Sequence, residues 1–284
     1  MILVTGATGT VGRELLRRLP AGTDVRAMAR EPGRVAAAGR RIETVAGDYT
    51  DTRSLERALT GVRTAFLVTA AVEGRHDERF LRAARDAGVQ RVVKLSAAAV
   101  LDDRAQDLIT RWQRASEEAL RGCGLEWTLL RPRAFMSNCL SWAASVRGEG
   151  VVRALNGRSA SPCVDPRDIA GAAVRVLTEE GHEGRAYTLT GPEAIAPVEQ
   201  ARQLGRLLGV PLRFEELSPQ QARAGLALRY PRPVVEALLA SAERQRAGAK
   251  ARVDGALAAL LGRPATTFRA WARDHLEAFA PVPG

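Results

Sequence analysis

The chain opens with "MILVTGATGTVG", and these twelve residues restrict the fold more than any other stretch. An apolar, partly β-branched run too short for a helix leads straight into Gly6, Gly9 and Gly12, and Val11, Leu15, Leu16 and Leu19 then share one helical face. The order is strand, glycine turn, helix. In that order the glycines let backbone N–H groups approach a pyrophosphate closely, and the helix start adds its partial positive charge. A glycine triplet alone is a weak signal, but one placed between a strand and a helix predicts dinucleotide binding.

The pattern then repeats. "DVRAMAR", "IETVAGD", "TAFLVTA" and "RVVKLSAAA" read as the second to fifth strands, with helix-like segments such as "TRSLERALTG" and "DERFLRAARDAGV" between them. Strands alternating with helices predict an α/β fold: a Rossmann-like doubly wound parallel sheet whose ligands sit at the carboxyl ends of the strands. Arg30, Asp48, Thr69 and Ser96 fall at those ends. Arg30 stands where an acidic residue would bond the ribose hydroxyls of NAD, and a guanidinium there suits a 2′-phosphate, so the expected cofactor is NADPH/NADP. Asp48 either accepts from an adenine amino group or caps the helix that follows.

Composition removes other classes. The 284 residues are 46% hydrophobic, enough for a real core, and carry a formal charge of +10. Only Lys94 and Lys250 are lysines; the other basic residues are arginines spread through every segment, with 5% aromatic residues and no basic cluster, so no nucleic-acid partner is expected. No apolar run has membrane-spanning length and "MILV" is too short for a signal peptide, so a cytoplasmic protein without a membrane partner, monomer or homodimer, is expected. Cys123, Cys139 and Cys163 are widely spaced and read as reduced thiols, and no metal-ligand spacing exists around His76, His182 or His275.

Several segments together resemble the NmrA-like group of atypical short-chain dehydrogenase/reductases, which includes NAD(P)H-dependent quinone, azo-dye and triphenylmethane reductases. They are "VTGATGTVG", "VRAMAR" ending in Arg30, "GDY", "GLEWTLLRPRAFMSN", "VDPRDIAGAAVRVL" and "AYTLTGPEAI". The resemblance implies an NADP-binding Rossmann domain over 1–150, with 164–192 returning to it, and a mostly helical substrate region over 193–284. It implies that Gly6, Thr8, Gly9, Thr10 and Val11 hold the pyrophosphate together with the Gly12 turn, Arg30 the adenosine phosphate, and Thr69 with Ala70 the middle of the cofactor. Pro132 and Phe135 then lie beside the nicotinamide, although Phe135 serves equally as core. Ser96 either contacts a substrate carbonyl or bonds its own backbone.

Ordinary short-chain reductases keep Tyr-x-x-x-Lys on the helix after the fifth strand, and many NmrA-like members show His-x-x-x-Glu. Here "ITRWQRASEEALRGCG" has neither, and the corresponding step is Gln113 to Glu117. Glutamine donates a hydrogen bond but cannot deliver a proton, and Glu117 acts as an acid only if burial raises its pKa. The resulting expectation is an NADPH-dependent reductase acting on a carbonyl or quinone of a large hydrophobic aromatic substrate, such as an aromatic polyketide antibiotic intermediate. Ser96 or Gln113 polarises the oxygen, and water or the substrate supplies the proton. The alternative is a non-catalytic NADP-binding redox sensor. The C-terminal helices are expected to form an apolar cleft wall, with Trp142, Leu226, Leu228 and Tyr230 as candidate lining. In "VDPRDIAG", Asp165, Pro166 and Asp168 read as a helix start rather than catalysis.

Overall fold

The computed structural model describes residues 1–36, 42–70, 72 and 75–280. Its centre is a parallel sheet of seven strands: β1 (Ile2–Val4), β2 (Val25–Ala29), β3 (Glu43–Ala46), β4 (Thr64–Leu67), β5 (Arg91–Leu95), β6 (Glu126–Pro132) and, after the separate strand β7 (Val151–Ala154), β8 (Arg185–Leu189). The spatial order is β3-β2-β1-β4-β5-β6-β8, so the chain reverses direction between β1 and β4. Val4 sits opposite Ala27 on one side and Phe66 on the other, which opens a crevice beyond the carboxyl ends of β1 and β4.

The inner strands are mostly apolar on both faces because helices cover both. Successive side chains alternate across the sheet, so Ile2 and Val4 join the cluster of α1 (Thr10–Arg18) and α6 (Pro166–Thr178). Leu3 joins the opposite cluster with α2 (Thr52–Leu59), α3 (His76–Asp86) and α4 (Leu108–Arg121). Gly12, in the first turn of α1, packs directly on the loop that follows β1: a Cβ there would lie 2.2 Å from the Gly6 carbonyl oxygen. The runs that predict β1 to β5 lie within a few residues of those strands, and β6 and β8, for which no strand is predicted, extend the sheet.

Two further layers stand beside the sheet. The short helix α5 (Ala143–Glu149) precedes β7, which pairs in parallel with β9 (Arg213–Glu216), the strand that follows α7 (Pro197–Leu208). A third apolar cluster, including Met136, Cys139, Phe268 and Trp271, fills the space around this pair. The last helices are α8 (Pro219–Ala227), α9 (Arg232–Arg246), α10 (Ala256–Leu261) and α11 (Phe268–Asp274). Asp168 ties them to the sheet layer by accepting from Arg263 Nη2 and the Thr266 N–H, both at 2.6 Å. Asp165 caps α6 as expected, accepting from the Arg167 N–H at 2.8 Å. Among the described residues no helix is long and apolar enough to cross a membrane.

Candidate active site

The glycine turn takes the form that the sequence implied. Gly6 adopts φ +60°, in the left-handed region, and its α-carbon faces Val68 so closely that a Cβ would come within 2.9 Å of the valine Cβ. The Gly9 N–H bonds the Gly6 carbonyl at 2.9 Å and Gly9 then stands at the N-cap of α1. Among the described residues no side chain caps that helix, and no acid lies in its first turn, so the N–H groups over Thr10, Val11 and Gly12 are left uncapped. Arg13 reaches back to the Thr8 carbonyl at 2.7 Å and holds the turn. A glycine-walled loop ending in an uncapped helix start fits a diphosphate.

At the adenosine end, Arg30 is exposed just past β2, beyond the same crevice. Asp48 follows β3, and its Oδ1 accepts from the Thr50 N–H (2.8 Å) and hydroxyl (2.7 Å). Those two bonds hold its carboxyl below the usual range, with smaller help from the His76 and Arg30 charges. The helix-cap alternative for Asp48 is corrected here: Asp51 caps α2, accepting from the Arg53 N–H. His76 opens α3 and stacks on Tyr49 at 5.4 Å between ring centroids.

Under the middle of the crevice lies a buried charge network that sequence reading missed. Lys94, with no exposed surface, points from β5 to Asp77 on α3 at 2.7 Å. The same carboxylate accepts from Thr69 (3.0 Å to each oxygen) and from Ser116 on α4 (2.9 Å). The Thr69 hydroxyl therefore faces inward, and only its backbone remains on the cofactor side; Ala70 beside it is exposed. The available signal was a lysine in the middle of "RVVKL", where the neighbours are apolar and a charge requires a partner.

The second network joins Ser96 to α4. Ser96 donates to Glu117 Oε1 at 2.6 Å. Arg131, from β6, grips the same carboxylate with Nε (2.9 Å) and Nη2 (2.5 Å), and Arg121 adds a third contact at 3.0 Å. Burial pushes the Glu117 carboxyl up, but hydrogen bonds from Arg131 and Ser96 and the two arginine charges outweigh it, and the net shift is downward. Glu117 is a carboxylate with no proton to give. The single proton of Ser96 is already donated to it, so the expectation that this hydroxyl polarises a substrate oxygen meets a stronger, charged acceptor.

Gln113 sits one helical turn before Glu117 and is buried, and its Oε1 has no hydrogen-bond partner among the described residues. Pro132 closes β6, and Phe135 is half-buried, packed against the first core cluster next to the bridge it forms with Val164.

Above these networks, the start of α4 and the start of α9 enclose a largely apolar cavity of about 560 Å³. Ala70, Val72, Leu108, Ile109 and Trp112 form one side, and Tyr230, Pro231, Pro233, Val234 and Leu238 the other. Of the four residues expected to line it, only Tyr230 does. Trp142 packs against the third core cluster, Leu228 is 87% exposed, and Leu226 does not reach the cavity.

A family model described as NAD(P)H-binding matches residues 6–180. The chain is similar to (4-alkanoyl-5-oxo-2,5-dihydrofuran-3-yl)methyl phosphate reductase of Streptomyces griseus subsp. griseus, at 55% identity over 281 residues, covering 99% of this chain and 100% of that one. It is 33% identical over 284 residues to an NAD(P)H azoreductase of Xenophilus azovorans, covering 98% and 99%. The NADPH-dependent quinone oxidoreductase of Escherichia coli, solved with NADPH, superposes with a TM-score of 0.83 at 29% identity, covering 98% of this chain and 100% of that one.

Proposed function

This chain belongs to the NAD(P)H-binding family and is an NADPH-dependent oxidoreductase, and we propose that it reduces a conjugated double bond or quinone whose displaced electron pair is spread over carbonyl oxygens. The observation that carries this reading is the Glu117 site. Its carboxylate is ionised and its neighbours' protons are committed, and Gln113 has none to lose, so α4 offers no acid to a reacting oxygen.

NADPH, when bound, supplies the hydride. The loop from Gly6 to Gly12 would hold its diphosphate, Arg30 its 2′-phosphate and Asp48 the adenine amino group, with Pro132 and Phe135 beside the nicotinamide. Lys94 and Asp77 keep the ends of β4 and β5 fixed under the site, and Arg131 with Glu117 does the same for β6 and α4. Gln113 presents its unpartnered amide oxygen to a donor on the bound ligands. The cavity between α4 and α9 excludes water from the apolar part of the substrate.

A site whose α4 supplies no acid selects its substrates. In an acceptor of the kind named for the Streptomyces relative, the ring double bond is conjugated to a lactone carbonyl and an alkanoyl carbonyl. Hydride arriving at the far carbon breaks the π bond, both carbonyl oxygens share the electron pair, and water supplies the proton afterwards. We assign this chain a substrate of that class, a phosphate-bearing alkanoyl dihydrofuranone, with its alkanoyl chain in the apolar cavity. Quinones share the chemistry, as do aromatic ketones that carry their own internal hydrogen bond. A simple isolated ketone, which needs a proton donor in the transition state, does not.

The test is NADPH consumption by the purified protein across this series. Turnover of the conjugated acceptors but not of isolated ketones supports the reading. Tight NADPH binding with no consumption anywhere in the series overturns it in favour of a nucleotide sensor.

A further inference from the structure

A second group of charges stands where β6 ends and α9 ends. Arg133 directly follows β6, and its Nε is shielded from water with no hydrogen-bond partner; no ion pair reaches its guanidinium among the described residues. The two nearby carboxylates are already engaged. Arg244, near the end of α9, bonds Asp102 at 3.1 Å and Asp107 at 2.6 Å, and Asp107 also caps α4. Lys250, just beyond α9, donates one proton to the Ser241 hydroxyl at 2.5 Å and keeps two.

We infer that Arg133 and Lys250 form a seat for the phosphomonoester of the substrate, an inference that rests on the substrate class proposed above. Three cations face two carboxylates in this patch, and the guanidinium that lacks a partner is the one nearest the strand ends. Burial, then the charges of Arg244 and Arg133, lower the Lys250 pKa to about 8 against the pull of Asp107 and Asp102. Burial likewise lowers that of Arg133. Burial thus disfavours the charge on both groups, and a phosphate dianion offsets that cost: the planar guanidinium meets two oxygens at once, and the ammonium acts as a point charge.

Position separates this seat from the cofactor's own phosphates. β6 lies three strands from β1, about 14 Å at ordinary strand spacing, whereas the diphosphate loop is at the end of β1. It also fits an amphiphilic substrate. Val234 borders the apolar cavity, and Arg244 stands ten residues further along the same helix, about 15 Å away. The chain's only two lysines are both put to work as buried or half-buried partners, in a sequence that otherwise uses arginine.

The experiment compares an alkanoyl dihydrofuranone methyl phosphate with its free alcohol in wild type, Arg133→Gln, Arg133→Lys and Lys250→Met. The wild type should show a KM for the phosphate ester about 10- to 100-fold below that of the alcohol. Arg133→Gln and Lys250→Met should collapse that ratio, mainly through KM, with Arg133→Lys restoring part of it. Calorimetric binding of the ester to the NADP-loaded protein reads the seat even if nothing is turned over, so failure of the reductase reading and failure of the seat are separate results. Equal KM and affinity for ester and alcohol in wild type would overturn the seat. So would equal losses for both compounds in Arg133→Gln, or a loss of NADPH affinity there in place of ester affinity.

Discussion

Ser96 at the end of β5 gives its hydroxyl proton to Glu117 on α4, across 2.6 Å. That bond helps to fix Glu117 as an anion rather than an acid. The carboxylate is 3% exposed and is held by Arg131 and Arg121 as well, so it ties the ends of β5, β6 and α4 together.

Replacing Glu117 with Gln leaves the largely buried Arg131 without its counter-charge, and should cost about 3–5 kcal/mol of stability at neutral pH. The pH dependence has a definite sign. The folded carboxyl titrates below its ordinary 4.5, so its stabilisation is complete above about that pH and is lost as pH falls through the lowered value. Urea unfolding of the two proteins should therefore converge on acidification. A difference that stays constant from neutral pH into the acid range contradicts the ionised assignment.

Lys94 and Asp77 form the other internal pair. Lys94→Met should destabilise by about 3–5 kcal/mol, because it strands a carboxylate that also serves Thr69 and Ser116. Lys94→Met with Asp77→Asn should recover much of that loss. Simple additivity of the two single substitutions in denaturant unfolding would remove the pair as a coupled unit.

Arg30→Glu should weaken NADPH binding at least about tenfold and leave NADH binding nearly unchanged, since only NADPH carries the 2′-phosphate. Fluorescence titration with both nucleotides checks this. Equal losses for the two would take Arg30 out of that role.

Gln113→Ala should reduce kcat by less than about tenfold, because the side chain orients and carries no proton. Complete loss of turnover with NADPH binding and fold intact would make Gln113 essential and the proton-free account wrong.

The parts of this architecture that local pattern encodes could be read directly from the sequence. Gly6, Gly9 and Gly12 mark the turn from a strand into a helix, with no room for a Cβ at Gly6 or Gly12, and the apolar runs of β2, β4 and β5 mark a sheet covered on both faces. Pairings across long separations were not readable. β7 and β9 are four residues each and meet only through the fold. Asp77 in "RHDERF" carries no local signal beyond that of a first-turn acid, and Lys94 in an apolar run requires a partner that local pattern does not identify. The cleft lining failed for the same reason: Leu228 and Trp142 have the right chemistry, but packing sends one to solvent and the other to a different cluster.

The central claim is that hydride reaches a carbon conjugated to carbonyls at a site where α4 supplies no acid. The most direct measurement uses NADPH deuterated at the transferable position, with an alkanoyl dihydrofuranone methyl phosphate as acceptor, and locates the deuterium in the product by NMR. The account predicts deuterium on the ring carbon that bears the phosphate-carrying methylene, next to a proton taken from solvent. Deuterium on a new carbinol carbon of the alkanoyl group would contradict it.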